Sequence, residues 1–245
     1  MNQQINPSTT VGELVREQPS RSRVFESLRI DYCCGGKQPL SQACEKHGHD
    51  VESVVEQLAK SDEAATSGEN AVDADAMTLS ELADHIEQEH HAFLRDELPR
   101  LDAITEKVHR VHGEAEPRLA DVRTAFISMR DELMSHMVKE ERILFPMIRA
   151  IDKGDANASR AVGTVANPIR QMEAEHDDSG DALAIMHSST DGYTPPDWAC
   201  NTYRAMLDGL AHLERDLHQH IHKENNVLFP KALERERQLA GKEGA

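Results

Sequence analysis

The sequence predicts an all-α protein, a small helical N-terminal domain followed by an up-and-down four-helix bundle. Three observations predict it. Leu, Ala and Glu recur, charged residues make up 29% of the 245 positions and aromatics only 4%, which is the composition of amphipathic helices rather than strands. From Thr78 onward, apolar residues return at spacings of three and four through long stretches punctuated by Pro and Gly. An eleven-residue pattern also occurs twice, in positions that a helix places on one face. A chain of this length holds one core of about 150 residues plus a smaller module.

The N-terminal domain is expected over residues 1–60. "TVGELVREQ" and "PSRSRVFESLRI" read as two short helices, with Pro19 in a first helical turn and Gly35-Gly36 stopping the second helix just after Cys33-Cys34. That places the cysteine pair exposed at a helix end. "DVESVVEQLAK" is a further helix capped by Asp50. Residues 61–76, "SDEAATSGENAVDADA", are polar and acidic without apolar periodicity and read as a linker.

The bundle is expected over residues 77–245. Its first helix begins at the capping box Thr78-x-x-Glu81 and ends near Gly113. The second runs from about Pro117 to Gly154, the third opens at Asn167-Pro168 and fades before "TDGYTPP", and the fourth runs on from about Pro196. Short connections make neighbouring helices antiparallel. Pro146 and Pro230, inside helical patterns, are expected to kink or end their helices.

"HMVKEERILFP" (residues 136–146) and "HIHKENNVLFP" (residues 220–230) share the pattern H-x-x-K-E-x-x-x-L-F-P, an internal repeat. A His and a Glu four residues apart share one helix face and can reach a common ion. The series Val122, Phe126, Met129, Leu133, His136, Glu140, Ile143 and the series Met206, Leu210, Leu213, Leu217, His220, Glu224, Val227 put both pairs on the apolar seams. In the third helix, Ile169, Met172, His176, Ser179, Leu183 and Met186 form another seam containing a histidine. For the first helix, periodicity leaves His90 and His91 both open, and the repeat spacing favours His91.

Imidazoles and carboxylates in an apolar core are costly unless paired or bound to metal. His91, His136, His176 and His220 with Glu140 and Glu224 over-supply one ion. Two ions bridged by the two carboxylates, with an oxo or hydroxo bridge, would leave an open position on each. Mixed N/O ligation with an open position favours iron, with manganese and zinc remaining open. Glu132 and Glu175 lie next to His136 and His176 in helical space or sequence, as hydrogen-bond acceptors or proton carriers or as ordinary exposed glutamates. His85, His109, His112, His187, His212, His218 and His222 read as surface or satisfied core residues, and Cys44 and Cys200 as structural or incidental thiols.

A formal charge of -17 argues against nucleic-acid and anionic-membrane partners. No run approaches the roughly 18 apolar residues that span a bilayer, and "MNQQINPSTT" lacks a signal pattern, so the expected compartment is the cytoplasm. Adjacent cysteines are no secreted disulfide framework.

In this order, "DYCCGGKQ", "HMVKEERILFPMI", "MEAEHDDSG", "YTPPDWAC" and "HKENNVLFP" resemble the iron-sulfur cluster repair di-iron proteins, the repair-of-iron-centres (RIC) family of YtfE/ScdA type. The resemblance covers nearly the whole chain. It implies a hemerythrin-like bundle with two non-haem iron ions, made in response to nitrosative and oxidative stress. It places the ligands on His91, His136, Glu140, His176, His220 and Glu224, with Glu140 and Glu224 bridging and Glu132 and Glu175 near the centre. Nitric oxide or oxygen species, damaged or apo iron-sulfur proteins and an external reductant are the partners it implies, and a homodimer is one open arrangement.

Three functions use the same ligands: a repair protein that binds or reduces nitric oxide or donates iron, a di-iron nitric oxide or peroxide reductase, and a carrier of oxygen or iron. Cys33 and Cys34 are expected to serve redox exchange or iron transfer, against the plain alternative of small residues in a turn. A zinc site closed by His47 or His49 is the weaker expectation.

Overall fold

The computed structural model describes residues 5–65 and 72–243, whose regular structure is helical, the only β pairing among them being an isolated bridge between Thr10 and Pro39. The short helices are α1 (Val11–Glu17), α2 (Ser22–Ser27), α3 (Leu40–His47) and α4 (Val51–Ala65). The first long helix consists of α5 (Leu79–Ile86), a π-helical turn over Glu87–His91, and α6 (Ala92–His112). The second comprises α7 (Leu119–Lys139), a π turn over Glu140–Leu144, and α8 (Phe145–Asp152), and the third is an uninterrupted α9 (Ala166–Ser188). The fourth joins α10 (Asn201–Lys223) to α11 (Phe229–Glu243) through a π turn over Glu224–Leu228. Among the described residues, no helix is long and apolar enough to cross a membrane.

The chain divides into two compact units, residues 1–82 with 218–245, and residues 83–217. In the first unit, Val11, Leu14, Phe25, Tyr32, Leu40 and Leu58 form the core of α1–α4. Thr10 and Glu13 form a capping box on α1, and the Asp50 carboxylate accepts the Ser53 N–H at 2.9 Å to start α4.

The reading of the second short helix needs correction. α2 stops at Ser27, Arg29 turns the chain with φ +57°, and the Asp31 carboxylate gathers the N–H groups of Cys33, Cys34 and Gly35 at 2.9, 3.0 and 2.8 Å. A short acidic side chain that satisfies local amides competes with helix, so Cys33-Cys34 occupies a loop and not a helix end. Helix α4 also outlasts its expected span. Residues 61–65 of the expected linker are helical, and Asp62 pairs at 2.7 Å with Arg21, whose side chain is buried. Residues 66–71 of that linker lie outside the described residues.

The C-terminal helix belongs to this same unit. Asn226, in its π turn, donates to the carbonyls of Cys33 and Tyr32 at 3.0 and 3.4 Å. A Cβ on Gly12 or Gly36 would fall 2.4 or 2.3 Å from Asn226 Oδ1, so glycine at both positions is what lets the backbone come so near.

In the second unit α6, α7, α9 and α10 share one core, with Leu94, Leu98 and Leu101 facing Phe126, Met129, Leu133, Leu183, Met186, Leu210 and Leu213. At the start of α5, Thr78 N–H donates to Glu81 at 2.9 Å and Glu81 N–H to Thr78 Oγ1 at 3.2 Å, the expected capping box. The fourth helix begins at Asn201 rather than near Pro196, because the Arg204 guanidinium holds the carbonyls of Pro196, Asp197 and Ala199 in a loop.

Neither Pro146 nor Pro230 ends its helix. A π turn bonds i to i+5 and takes in an extra residue, and one lies just before each proline. The wider turn also shifts the seam. Leu144 is buried at 1% exposure while Ile143, expected on the seam, is 51% exposed.

Candidate metal centre

His91, His136, Glu140 and His176 come together in the second unit, all of them buried to 2% exposure or less. His91 Nε2 and His136 Nε2 approach the same Glu140 oxygen at 3.3 and 3.2 Å. His136 Nε2 and His176 Nε2 are 3.2 Å apart. His91 closes one π turn and Glu140 opens another, as is common where helices carry functional groups.

The opposite nitrogens of two rings are held by carboxylates. His91 Nδ1 lies 2.8 Å from Glu141 and His136 Nδ1 2.9 Å from Glu175. Each carboxylate also takes a cation, Arg95 on Glu141 and Lys139 on Glu175. Burial pushes both acids up, but hydrogen bonds from Arg95 and His91 to Glu141, and from Lys139, His136 and Gln171 to Glu175, outweigh it and hold both below the ordinary carboxylate range. An ionised acceptor on Nδ1 selects the Nδ1–H tautomer and turns the Nε2 lone pair inward.

That arrangement tests the fit to metal. With Nδ1 protonated, Nε2 is an acceptor only. The Nε2 lone pairs of His91 and His136 both face one buried Glu140 oxygen, at 3.3 and 3.2 Å, and acceptors so gathered repel unless a cation lies among them. The donors are nitrogen and oxygen, the set suited to iron, manganese or zinc. Residues and metal fit.

Periodicity left His90 and His91 open, and geometry separates them. His90 Nδ1 pairs with Asp216 at 2.9 Å, while His91 reaches Glu140. In the other unit, His220 Nε2 lies 3.2 Å from Glu224 Oε1, and both are buried.

The family profile described as the Hemerythrin HHE cation binding domain matches residues 82–232, and that of the ScdA_N domain, DUF542, matches residues 7–62. The iron-sulfur cluster repair proteins YtfE of Enterobacter sp. (strain 638) and of Escherichia coli O157:H7 are each 41% identical to this chain, over 91% of it and 96% of the relative. That of Shigella boydii serotype 4 matches equally. The chain belongs to the hemerythrin-like iron-sulfur cluster repair family. In this family member the bundle is a cation-binding domain whose buried His and Glu cluster fits a di-iron centre.

Other expected residues fall differently. Glu175 is beside His136, but Glu132 lies on the exposed face of α7 and accepts a hydrogen bond from Ser128 at 3.0 Å, the ordinary reading. Cys33 is 5% exposed, not exposed as expected, with its sulfur 3.2 Å from Asp31 and 4.0 Å from the half-buried Cys34 sulfur. Its hydrogen bond with Cys34, burial and the nearby charges of Cys34 and Asp31 push the Cys33 thiol well up. The ligand atoms of Asp31, Cys33 and Cys34 lie within 4.8 Å of one another. His49 instead bonds the Leu28 carbonyl at 2.8 Å and stacks on His47, so neither imidazole is committed to the thiols.

His222 is a satisfied core histidine. Burial pushes it down to about 4, and its neutral ring donates Nδ1–H to the Tyr32 carbonyl at 3.3 Å. Sequence reasoning missed Glu141 and Asn226. Glu141 follows Glu140 directly in "KEER", and its signal is the acid-acid doublet at the repeat.

Proposed function

We propose that this protein repairs iron-sulfur clusters damaged by nitrosative or oxidative stress, using two iron ions held by His91, His136, Glu140, His176, His220 and Glu224. The observation that carries the reading is the convergence of imidazole lone pairs, fixed from behind by Glu141 and Glu175, on the Glu140 carboxylate. His136 and His176 face each other at 3.2 Å and would hold an ion, with His91 and His220 as further imidazole donors. Glu140, approached from two histidines, and Glu224, its counterpart in the repeat, would supply the carboxylate oxygens. Iron so held supplies redox chemistry and an open position for a small molecule such as nitric oxide. The chain's own groups exclude water through the surrounding apolar core, and Glu141 and Glu175 retain the Nδ1 protons at fixed positions.

The names of the relatives, iron-sulfur cluster repair proteins, support an iron-sulfur protein as the target; the encounter would take place in the cytoplasm, with an external reductant. Cys33 and Cys34 would act as accessory thiols beside the helix that bears Glu224, because Asn226 of that helix holds the Cys33 carbonyl. Burial of Cys33 makes Cys34 the more accessible of the two.

The test is anaerobic. Diferrous protein is mixed with a nitric-oxide-damaged iron-sulfur enzyme, and separately with nitric oxide and with an apo-ferredoxin. Recovery of the damaged enzyme together with iron transfer is expected. Nitrous oxide release without recovery would make the protein a reductase, and neither product would make it a carrier. Replacement of both Cys33 and Cys34 by Ser is expected to keep the iron and lower the recovery, and unchanged recovery would leave the pair only its turn.

A further inference from the structure

Cys200 stands apart from the other thiols. It is exposed, whereas Cys33 and Cys44 are buried and Cys34 is half-buried. It occupies the position before α10, where its carbonyl accepts the Arg204 N–H at 3.0 Å, so its sulfur sits at the positive end of a long helix. His112, the last residue of α6, places Nε2 3.3 Å from Cys200 Sγ. In the Nδ1–H tautomer the thiol donates to that nitrogen.

An aromatic wall completes the surface. The rings of Trp198 and Tyr203 lie 5.7 and 5.6 Å from the His112 ring and 5.7 Å from each other. Trp198 is 51% exposed, and Arg204 fixes the loop that carries it by bonding the carbonyls of Pro196, Asp197 and Ala199. All these residues belong to the second unit. The thiol is not packed in a core, and it has an imidazole at hand, a helix terminus behind it and an apolar wall beside it. Those are the surroundings of a reactive cysteine rather than of a structural one.

We propose that Cys200 is a site of reversible S-thiolation by low-molecular-weight disulfides, with His112 as its proton acceptor. Cys200 Sγ attacks one sulfur of a disulfide RSSR, the RS–SR bond breaks, and a Cys200–SR bond forms. The thiol proton passes to His112 Nε2 and from there to the departing RS⁻, so that one thiol and one disulfide give one mixed disulfide and one free thiol. The helix terminus favours negative charge building on the sulfurs. The Trp198 and Tyr203 rings offer apolar contact to the aliphatic part of the incoming group.

The experiment uses the iron-loaded full-length protein and oxidised glutathione, followed by intact mass, peptide mapping and tryptophan emission. Trp198 is the single tryptophan of the chain, so its emission reports on this site alone. The expected result is one glutathione on Cys200, a change in Trp198 emission, and reversal of both by a thiol reductant. Cys200→Ser should abolish the adduct and the emission change, and His112→Gln should slow adduct formation by about tenfold or more with the helicity unchanged. Modification first at Cys33, Cys34 or Cys44 would overturn the proposal. So would a wild-type rate in His112→Gln, or a Cys200 no faster than the same thiol in the denatured chain.

Discussion

Glu141 does for His91 what Glu175 does for His136: each holds an Nδ1 proton and is itself held by a basic side chain. Such partners orient a ligand ring and raise its basicity, and losing one lowers metal affinity by roughly 10- to 100-fold. Glu141→Ala and Glu175→Ala should therefore each weaken iron retention in a chelator competition by about that factor, whereas Glu132→Ala, on the exposed face, should leave it unchanged. Equal retention in all three would remove the proposed role of the two carboxylates. The buried His and Glu residues were legible in the sequence because each sits on an apolar seam, where an ionisable group demands a reason. Glu141 was not, since one step along a helix leaves the seam and its partner lies on another helix. The burial of Cys33 escaped for a related reason, as it depends on a loop gathered by the Asp31 carboxylate.

The long helices carry the ligands through π turns. The capping box at Thr78, the Asp50 cap and the repeat could be read from residue type and spacing, because caps and seams are local, whereas the start of the fourth helix, set by Arg204 on a preceding loop, could not. The π turns could not, since a period of three and four fits the sequence on either side of them and the extra residue shows only as a shifted face. Ile143 and Leu144 record that shift. Leu144→Ala should cost about 2–5 kcal/mol in urea unfolding, while Ile143→Gln should stay within about 0.5 kcal/mol. The reverse order would restore the uninterrupted α register. Gly36→Ala addresses the loop that meets the fourth helix. Its Cβ would lie 2.3 Å from Asn226 Oδ1 and 2.8 Å from the Tyr32 carbonyl, and overpacking of this kind costs about 1–3 kcal/mol. A lowered unfolding midpoint is expected, and an unchanged one would mean that this contact gives way freely.

At the scale of the molecule, pH and metal set the stability. Arg118 ties Glu116 at the start of the second long helix to Asp191 in the loop after α9, at 2.9 Å to each. Hydrogen bonds from Arg118 are the main cause that holds both carboxyls below their ordinary values. A depressed folded pKa adds stability above the unfolded value and loses it as pH falls through the folded one. The difference in melting temperature between wild type and Arg118→Ala should thus be small and positive at pH 7, because exposed pairs are screened, and should shrink as pH falls through and below the ordinary carboxylate range of about 4. A difference that grows in acid would contradict the clamp. Metal contributes by mass action, since iron that binds only the folded chain raises its melting temperature. Whether the chain holds two iron ions is decided by iron content after anaerobic reconstitution and desalting, with helicity monitored alongside. About two irons per wild-type chain, and well under two in Glu140→Ala and in Glu224→Ala with the bundle still helical, are expected. Full occupancy in both variants would show that these carboxylates hold no iron.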